Sequence, residues 1–284
     1  MVSSFAGRAA PGRRPAGLYW GDWTGTLATR FSLVNLLQKF SASSCPFCNR
    51  LTNASTRPRT LRQAAPVTIP DHDAALGLVR DHTILSVVTG SRAYGLATDA
   101  SDVDRRGVYA APAPLFWRFT KPPTHLDGPL PEQFSWELER FCKLALGANP
   151  TVLECLWSPI VEKVTPIGEE LLAVRTAFLS RHAHRTFLRY AEAQFRKLEA
   201  DLRNGRPPRW KQVMHMLRLL VTGTHLVRHG DLRVDVGDLR DRLLAVRRGE
   251  VPWDEIETWR TSLTVDLAGA LDHSPLPPPL YTSP

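Results

Sequence analysis

Acidic residues are almost missing from the first quarter of this chain. Residues 1–70 hold one carboxylate, Asp22, against nine Lys and Arg, and so carry the whole net charge of +8. Residues 71–284 balance, with 27 basic and 27 acidic side chains. The body therefore has no global field to draw in a polyanion, and any basic site in it must be local. Long apolar runs are missing too. None approaches the ~18 residues of a membrane-spanning helix; Phe31–Leu37 is far shorter, and nothing around it is laid out as a secretory signal. Cysteine is scarce, with four in 284 residues. Cys45-Pro46-Phe47-Cys48 has metal-ligand spacing but no second pair, which argues against a zinc module. Cys142 and Cys155 fall in helical patterns as small hydrophobes. No disulfide framework emerges, so the expected compartment is the cytoplasm.

What is present sorts into four stretches. Residues 1–75 are rich in Ser, Thr, Arg, Ala and Pro, with little apolar periodicity to offset ordering entropy. They read as a disordered basic tail, an Arg-rich transit-like leader or an over-extended start. From Leu76 the pattern sharpens. Thr83 to Val88 is an apolar, β-rich run that ends at Thr89-Gly90-Ser91, a buried strand entering a glycine turn. Val103 to Ala110 alternates as a second strand. Prolines 112, 114, 122 and 123 mark a long loop, and Glu132-Gln133-Phe134 suggests a short third strand. Leu138, Phe141, Leu144 and Ala145 recur at helical spacing, and Thr151 to Trp157 forms a short apolar helix closed by Pro159. The remainder reads as all-helical. Phe187, Tyr190, Ala191, Phe195, Leu198 and Leu202 mark one amphipathic face, and Val213, Leu217, Leu220, Val221 and Leu226 another. Arg240–Arg248 and Trp253–Leu271 add two more helices. The tail His273–Pro284, with five prolines, has no core to join. The expected fold is α+β: a small mixed sheet backed by helices over 76–160, then a helical domain over 161–272 that closes on a nucleotide.

One constellation carries chemistry. Gly90-Ser91 at a strand end presents backbone N–H groups and a hydroxyl to a phosphate. Asp102 and Asp104 follow at i and i+2, a spacing that puts both carboxylates on one face of a strand. Two such carboxylates repel, and a divalent cation relieves the repulsion. Phosphoryl transfer needs such cations to hold a triphosphate. Each fragment alone is weak: Asp-x-Asp usually sits in a solvated turn, and Asp99 reads as a turn residue. The combination of buried strand, Gly-Ser, a second glycine at Gly95 and Ser101-Asp102-Val103-Asp104 entering another strand is much rarer.

That stretch resembles the Gly-Ser…Asp-x-Asp signature of the DNA polymerase β-like nucleotidyltransferase superfamily. The longer run from Gly90 through Arg105-Arg106-Gly107-Val108-Tyr109 resembles a bacterial group with RNA-ligase-associated, RNA-repair members. The likeness continues through Trp136-Glu137-Leu138, Asn149 to Glu154 and Lys211 to Glu250, and so covers about Val67 to Leu271. It implies transfer of a nucleoside monophosphate from an NTP to a hydroxyl, an RNA end, with pyrophosphate released and Mg²⁺ (or Mn²⁺) as cofactor. Asp102 and Asp104 would be metal ligands. Glu132 falls where the group carries its third carboxylate as Asp; Asp127 is the runner-up, or else a turn residue. Lys211, His215 and Arg218, at i, i+4 and i+7, would share a helix face opposite the Leu/Val stripe and form a cationic wall for the β- and γ-phosphates, or simply be solvated. On that basis, replacing Lys211 or Arg218 with Ala should hardly move the melting temperature. Arg92 and Arg106 are lesser phosphate candidates that could instead pair with surface acids. A protein-modifying, AMP-adding antitoxin-like enzyme, a non-catalytic nucleotide- or RNA-binding module and a structural interaction protein are the alternatives.

Overall fold

A computed structural model describes residues 72–279. The Cys45–Cys48 pair lies outside the described residues. Helix α1 (His72–His82) opens with Asp73 and closes with Arg80 and His82, an order that complements its dipole. It leads into β1 (Thr83–Thr89), whose seven residues are all buried. A one-turn helix, α2 (Gly90–Ala93), then precedes β2 (Asp104–Tyr109). After α3 (Ala113–Phe116) come β3 (His125–Asp127) and β4 (Gln133–Glu137). Helix α4 (Leu138–Leu146) is capped by the Glu137 carboxylate, which accepts from the backbone N–H groups of Glu139 and Arg140. Helix α5 (Pro150–Leu156) is capped by the Asn149 side chain, with Pro150 at its first position. Strand β5 (Ile160–Val164) completes a five-stranded sheet of order β3-β4-β2-β1-β5. The β1–β2, β1–β5 and β3–β4 pairs are antiparallel, and β2–β4 is parallel.

The rest is helical: α6 (Pro166–Ala173), a 3₁₀ turn at Arg175–Phe178, α7 (His182–Arg203), α8 (Trp210–His229), a second 3₁₀ turn, α9 (Arg240–Arg248) and α10 (Trp253–Ala270). The architecture is thus α+β, a mixed sheet with helices followed by a helical region. One apolar core runs through both, from Leu85 and Val108 in the sheet to Phe187, Leu217 and Leu243 in the helices. The two parts share an interior.

Several expectations are revised. Strand β3 falls in the stretch expected as a long loop, and β5 falls where an all-helical remainder is expected, so the sheet extends past residue 160. Both are short, and β5 is exposed along its whole length at the sheet edge, so neither shows a hydrophobic alternation. Tyr190 is exposed, and its hydroxyl accepts from Asn149 Nδ2 at 2.9 Å rather than joining the core. The proline-rich segment after 273 does find a core. Leu276 is buried, Ser274 Oγ donates to the Val227 carbonyl, and Arg181 Nε donates to the Leu276 carbonyl.

Candidate active site

Strands β1 and β2 run antiparallel, so the end of one adjoins the start of the other. Thr89 stands opposite Asp104, and its hydroxyl donates to the Asp104 carbonyl at 3.3 Å. Gly90 then turns the chain with φ +68°. A Cβ at Gly90 would lie 2.0 Å from Asp104 Oδ2, so the carboxylate rests on bare backbone beside Ser91. Only glycine meets both demands.

Strands β2 and β4 are parallel with Arg105 opposite Gln133, so Glu132, in the turn just before β4, brings its backbone up to the start of β2. The Glu132 carbonyl accepts the Arg105 N–H at 2.9 Å and Arg106 Nη1 at 3.3 Å. These bonds hold Glu132 at φ +53°, a left-handed conformation that costs a residue with a Cβ about 1–2 kcal/mol. Arg106 therefore braces the backbone of a candidate ligand. Asp127 is an exposed strand residue opposite Phe134, not a turn residue.

Asp102 lies in the loop before β2 and is exposed, so strand alternation does not place it on a face with Asp104. The cause is Arg92. Its Nε donates to the Asp102 carbonyl at 3.3 Å and its Nη2 to the Ser101 carbonyl at 3.1 Å, where a strand residue would use its carbonyl in the ladder. Arg92 shapes the loop instead of pairing with an acid.

The carboxylates of Asp102, Asp104 and Glu132 accept no hydrogen bond and join no ion pair among the described residues. Unpartnered carboxylate oxygens at adjoining strand ends are the donors a hard divalent cation prefers. Among the described residues no three His, Cys, Asp or Glu side chains are already grouped to hold a metal ion.

The loop that links the turn to Asp102 is held from the helical region. Four successive carbonyls are occupied: Tyr94 by the Val236 N–H at 3.1 Å, Gly95 by Arg240 Nε at 2.8 Å, Leu96 by Arg247 Nη1 at 3.5 Å and Ala97 by Arg240 Nη2 at 3.4 Å. Gly95, at φ +72°, has Asp235 packed against it so closely that a Cβ would lie 2.6 Å from Oδ2. Sequence reasoning missed Arg240 and Arg247. Their i, i+7 spacing on one face of α9 was the available signal.

Beneath the turn lies a buried charged cluster. Tyr94 donates its hydroxyl to Glu154 Oε2 at 2.7 Å, and Arg218 Nη1 donates to Glu154 Oε1 at 2.7 Å. The guanidinium also stacks 3.7 Å over the Tyr94 ring. Burial opposes the Arg218 charge, but Glu154 and Tyr94 outweigh it and hold the guanidinium pKa above its usual value. Burial, the main cause, raises the Tyr94 hydroxyl. His215 Nδ1 lies 3.4 Å from Arg218 Nη2. Burial, with the charges of Arg218 and Lys211, pushes the imidazole down from 6.5 to about 3, so it is neutral at neutral pH.

The three-residue cationic wall is therefore corrected. Arg218 is fully buried and its charge is matched by Glu154, His215 is uncharged, and Lys211 alone of the three is an exposed cation. Helix periodicity identified the shared stripe but not that its inner end faces α5.

Similarity at the family level accompanies this geometry. The model of the RNA repair pathway DNA polymerase beta family matches residues 68–279. The chain belongs to that family. The family region takes in the sheet, the Glu154–Arg218 pair and the Arg240 brace together. The chain is also similar to the uncharacterized protein YcgL of Bacillus subtilis (strain 168), 25% identical over 153 residues, which are 52% of this chain. It spans 58% of that relative's length. No solved structure matches the chain. Among the described residues no helix is long and apolar enough to cross a membrane.

Proposed function

We propose that this member of the RNA repair pathway DNA polymerase beta family is a metal-dependent nucleotidyltransferase that moves a nucleoside monophosphate from an NTP to the hydroxyl of an RNA end. The observation that carries this is Asp104, with no cation partner, seated on Gly90 beside Ser91, with the Glu132 backbone bonded to the next residue, Arg105. Asp104, Asp102 and Glu132 would hold Mg²⁺ or Mn²⁺. When bound, that cation supplies positive charge to the triphosphate.

The chain's own groups do the rest. The Gly90–Ser91 backbone and the Ser91 hydroxyl hold the triphosphate. Lys211 adds positive charge where the β- and γ-phosphates depart. Glu132 takes the proton of the acceptor hydroxyl as its oxygen bonds to the α-phosphorus and the bond to pyrophosphate breaks. Arg92, Arg106 and Arg240 fix the loops that carry these groups.

The test is incubation of the full chain with each labelled NTP, Mg²⁺ and either total RNA or lysate protein. Label in RNA with pyrophosphate release is the expected result. Label in protein alone would overturn the acceptor, and NTP binding without transfer would overturn the catalytic reading.

A further inference from the structure

The loop after α3 carries a feature that the catalytic site does not use. Trp117 and Phe119 are almost wholly in solvent, at 81% and 107% exposure. Two large apolar side chains bared two residues apart suit a contact surface. Arg118 stands exposed between them with no partner among the described residues. Lys121 is exposed two residues on and donates to the Phe116 carbonyl, which leaves further donors on its ammonium. The stretch from Ala110 to Leu126 contains no acid at all. Arg118, Phe119 and Lys121 themselves line one mostly apolar groove, together with Ala75, Leu78 and Leu115.

We propose that Trp117, Arg118, Phe119 and Lys121 form a platform that binds single-stranded RNA. Bases stack on exposed aromatic faces whatever their sequence, and Arg and Lys between the rings meet the phosphates. Charge selects this occupant over the chain's own N-terminal stretch, whose net charge of +8 would be repelled by the patch. None of these four residues belongs to the Gly90, Asp104 and Glu132 site, so the platform is assigned to the body of an acceptor and not to its reacting end. The proposal rests on the RNA-end reading of the acceptor, but binding is measured without NTP or divalent cation, so the failure of one can be told from the failure of the other.

The test compares full-length wild type with Trp117→Ala/Phe119→Ala and with Arg118→Ala. The probes are a 20-nucleotide single-stranded RNA, the corresponding duplex, and heparin, a polyanion without bases. The basic N-terminal stretch is the same in all three proteins and cancels. The aromatic double variant is expected to bind the single strand on the order of 5- to 100-fold more weakly, with duplex and heparin binding unchanged. Arg118→Ala is expected to weaken all three probes and flatten the salt dependence. Ultraviolet cross-linking of the wild type should join RNA to the peptide that holds Trp117. Equal single-strand affinity in wild type and double variant would overturn the proposal, as would an equal loss for heparin. A dimer in sedimentation that the double variant dissociates, with RNA binding unchanged, would assign the patch to self-association instead.

Discussion

Replacement of Arg218 by Ala separates a buried brace from a phosphate ligand. Arg218 is fully buried, donates to Glu154 at 2.7 Å and stacks at 3.7 Å on Tyr94. The truncation leaves Glu154, itself buried, with the Tyr94 hydroxyl and no counter-charge. Breaking a buried pair from one side costs about 3–5 kcal/mol. For the 150–250-residue size class, each kcal/mol moves the melting temperature by about 2–4 °C, so the fall should be roughly 6–20 °C. This replaces the expectation, drawn from helix spacing, of an unchanged melt. The cause is tested by removing the charges together. Arg218→Met, Glu154→Leu and Tyr94→Phe in one protein keep the volume and leave no orphaned ion, and should recover most of the loss, since buried ion pairs often contribute little net stability over apolar replacements. Urea titrations at pH 7 give the three free energies, provided the slopes agree. An Arg218→Ala protein within about 1 kcal/mol of wild type that has lost NTP binding would refute the buried-brace reasoning.

Three further outcomes follow from the same geometry. Lys211→Ala should weaken NTP binding while stability changes by no more than about 0.5 kcal/mol, because the side chain is exposed; isothermal titration with each NTP checks this. Arg240→Ala frees the Gly95 and Ala97 carbonyls and should lower kcat on the order of 10- to 100-fold with little effect on KM. It should also speed hydrogen exchange at the Ser101 N–H, which bonds to the Thr98 carbonyl. His215 is held neutral with a pKa of about 3, against 6.5 in the unfolded chain. The unfolded state therefore binds more protons between those values, and stability falls as pH drops from about 6.5 toward 3. His182, His184 and His225, each lowered first by burial, add the same sign. His215→Asn should flatten that slope in melts across the range.

Much of this was legible in the residues. The apolar run Thr83–Val88, the turn at Gly90-Ser91 and the alternation before Tyr109 marked the two strands that meet at the site, because burial and backbone geometry there are local. Asp104 and Glu132 stood out as ligand candidates from the motif and from the helix that follows, and a backbone bond from Arg105 to Glu132 joins their two segments. What escaped was non-local. Glu154 and Arg218 lie 64 residues apart, and nothing in either helix alone says that their charged ends meet. The grip of Arg240 on Gly95 spans 145 residues. The position of Asp102 outside the strand depends on Arg92 taking two loop carbonyls, a competition that Asp-x-Asp spacing does not encode.

The most direct measurement is a set of thermal melts of wild type and Asp104→Asn, each with no ligand, with Mg²⁺ alone, with NTP alone and with both. Ligands that bind the native site and not the unfolded chain stabilise by about 2.7 kcal/mol at a hundredfold excess over Kd, which for the 150–250-residue size class is roughly 5–11 °C. Wild type should show that rise only with both ligands present. Asp104→Asn should keep its unliganded melting temperature, because the Asp104 carboxylate has no partner to lose, and should show no rise. A wild-type melt indifferent to metal and nucleotide, or an Asp104→Asn protein stabilised as much as wild type, would contradict the assignment of Asp104 to a metal-dependent nucleotidyltransferase site.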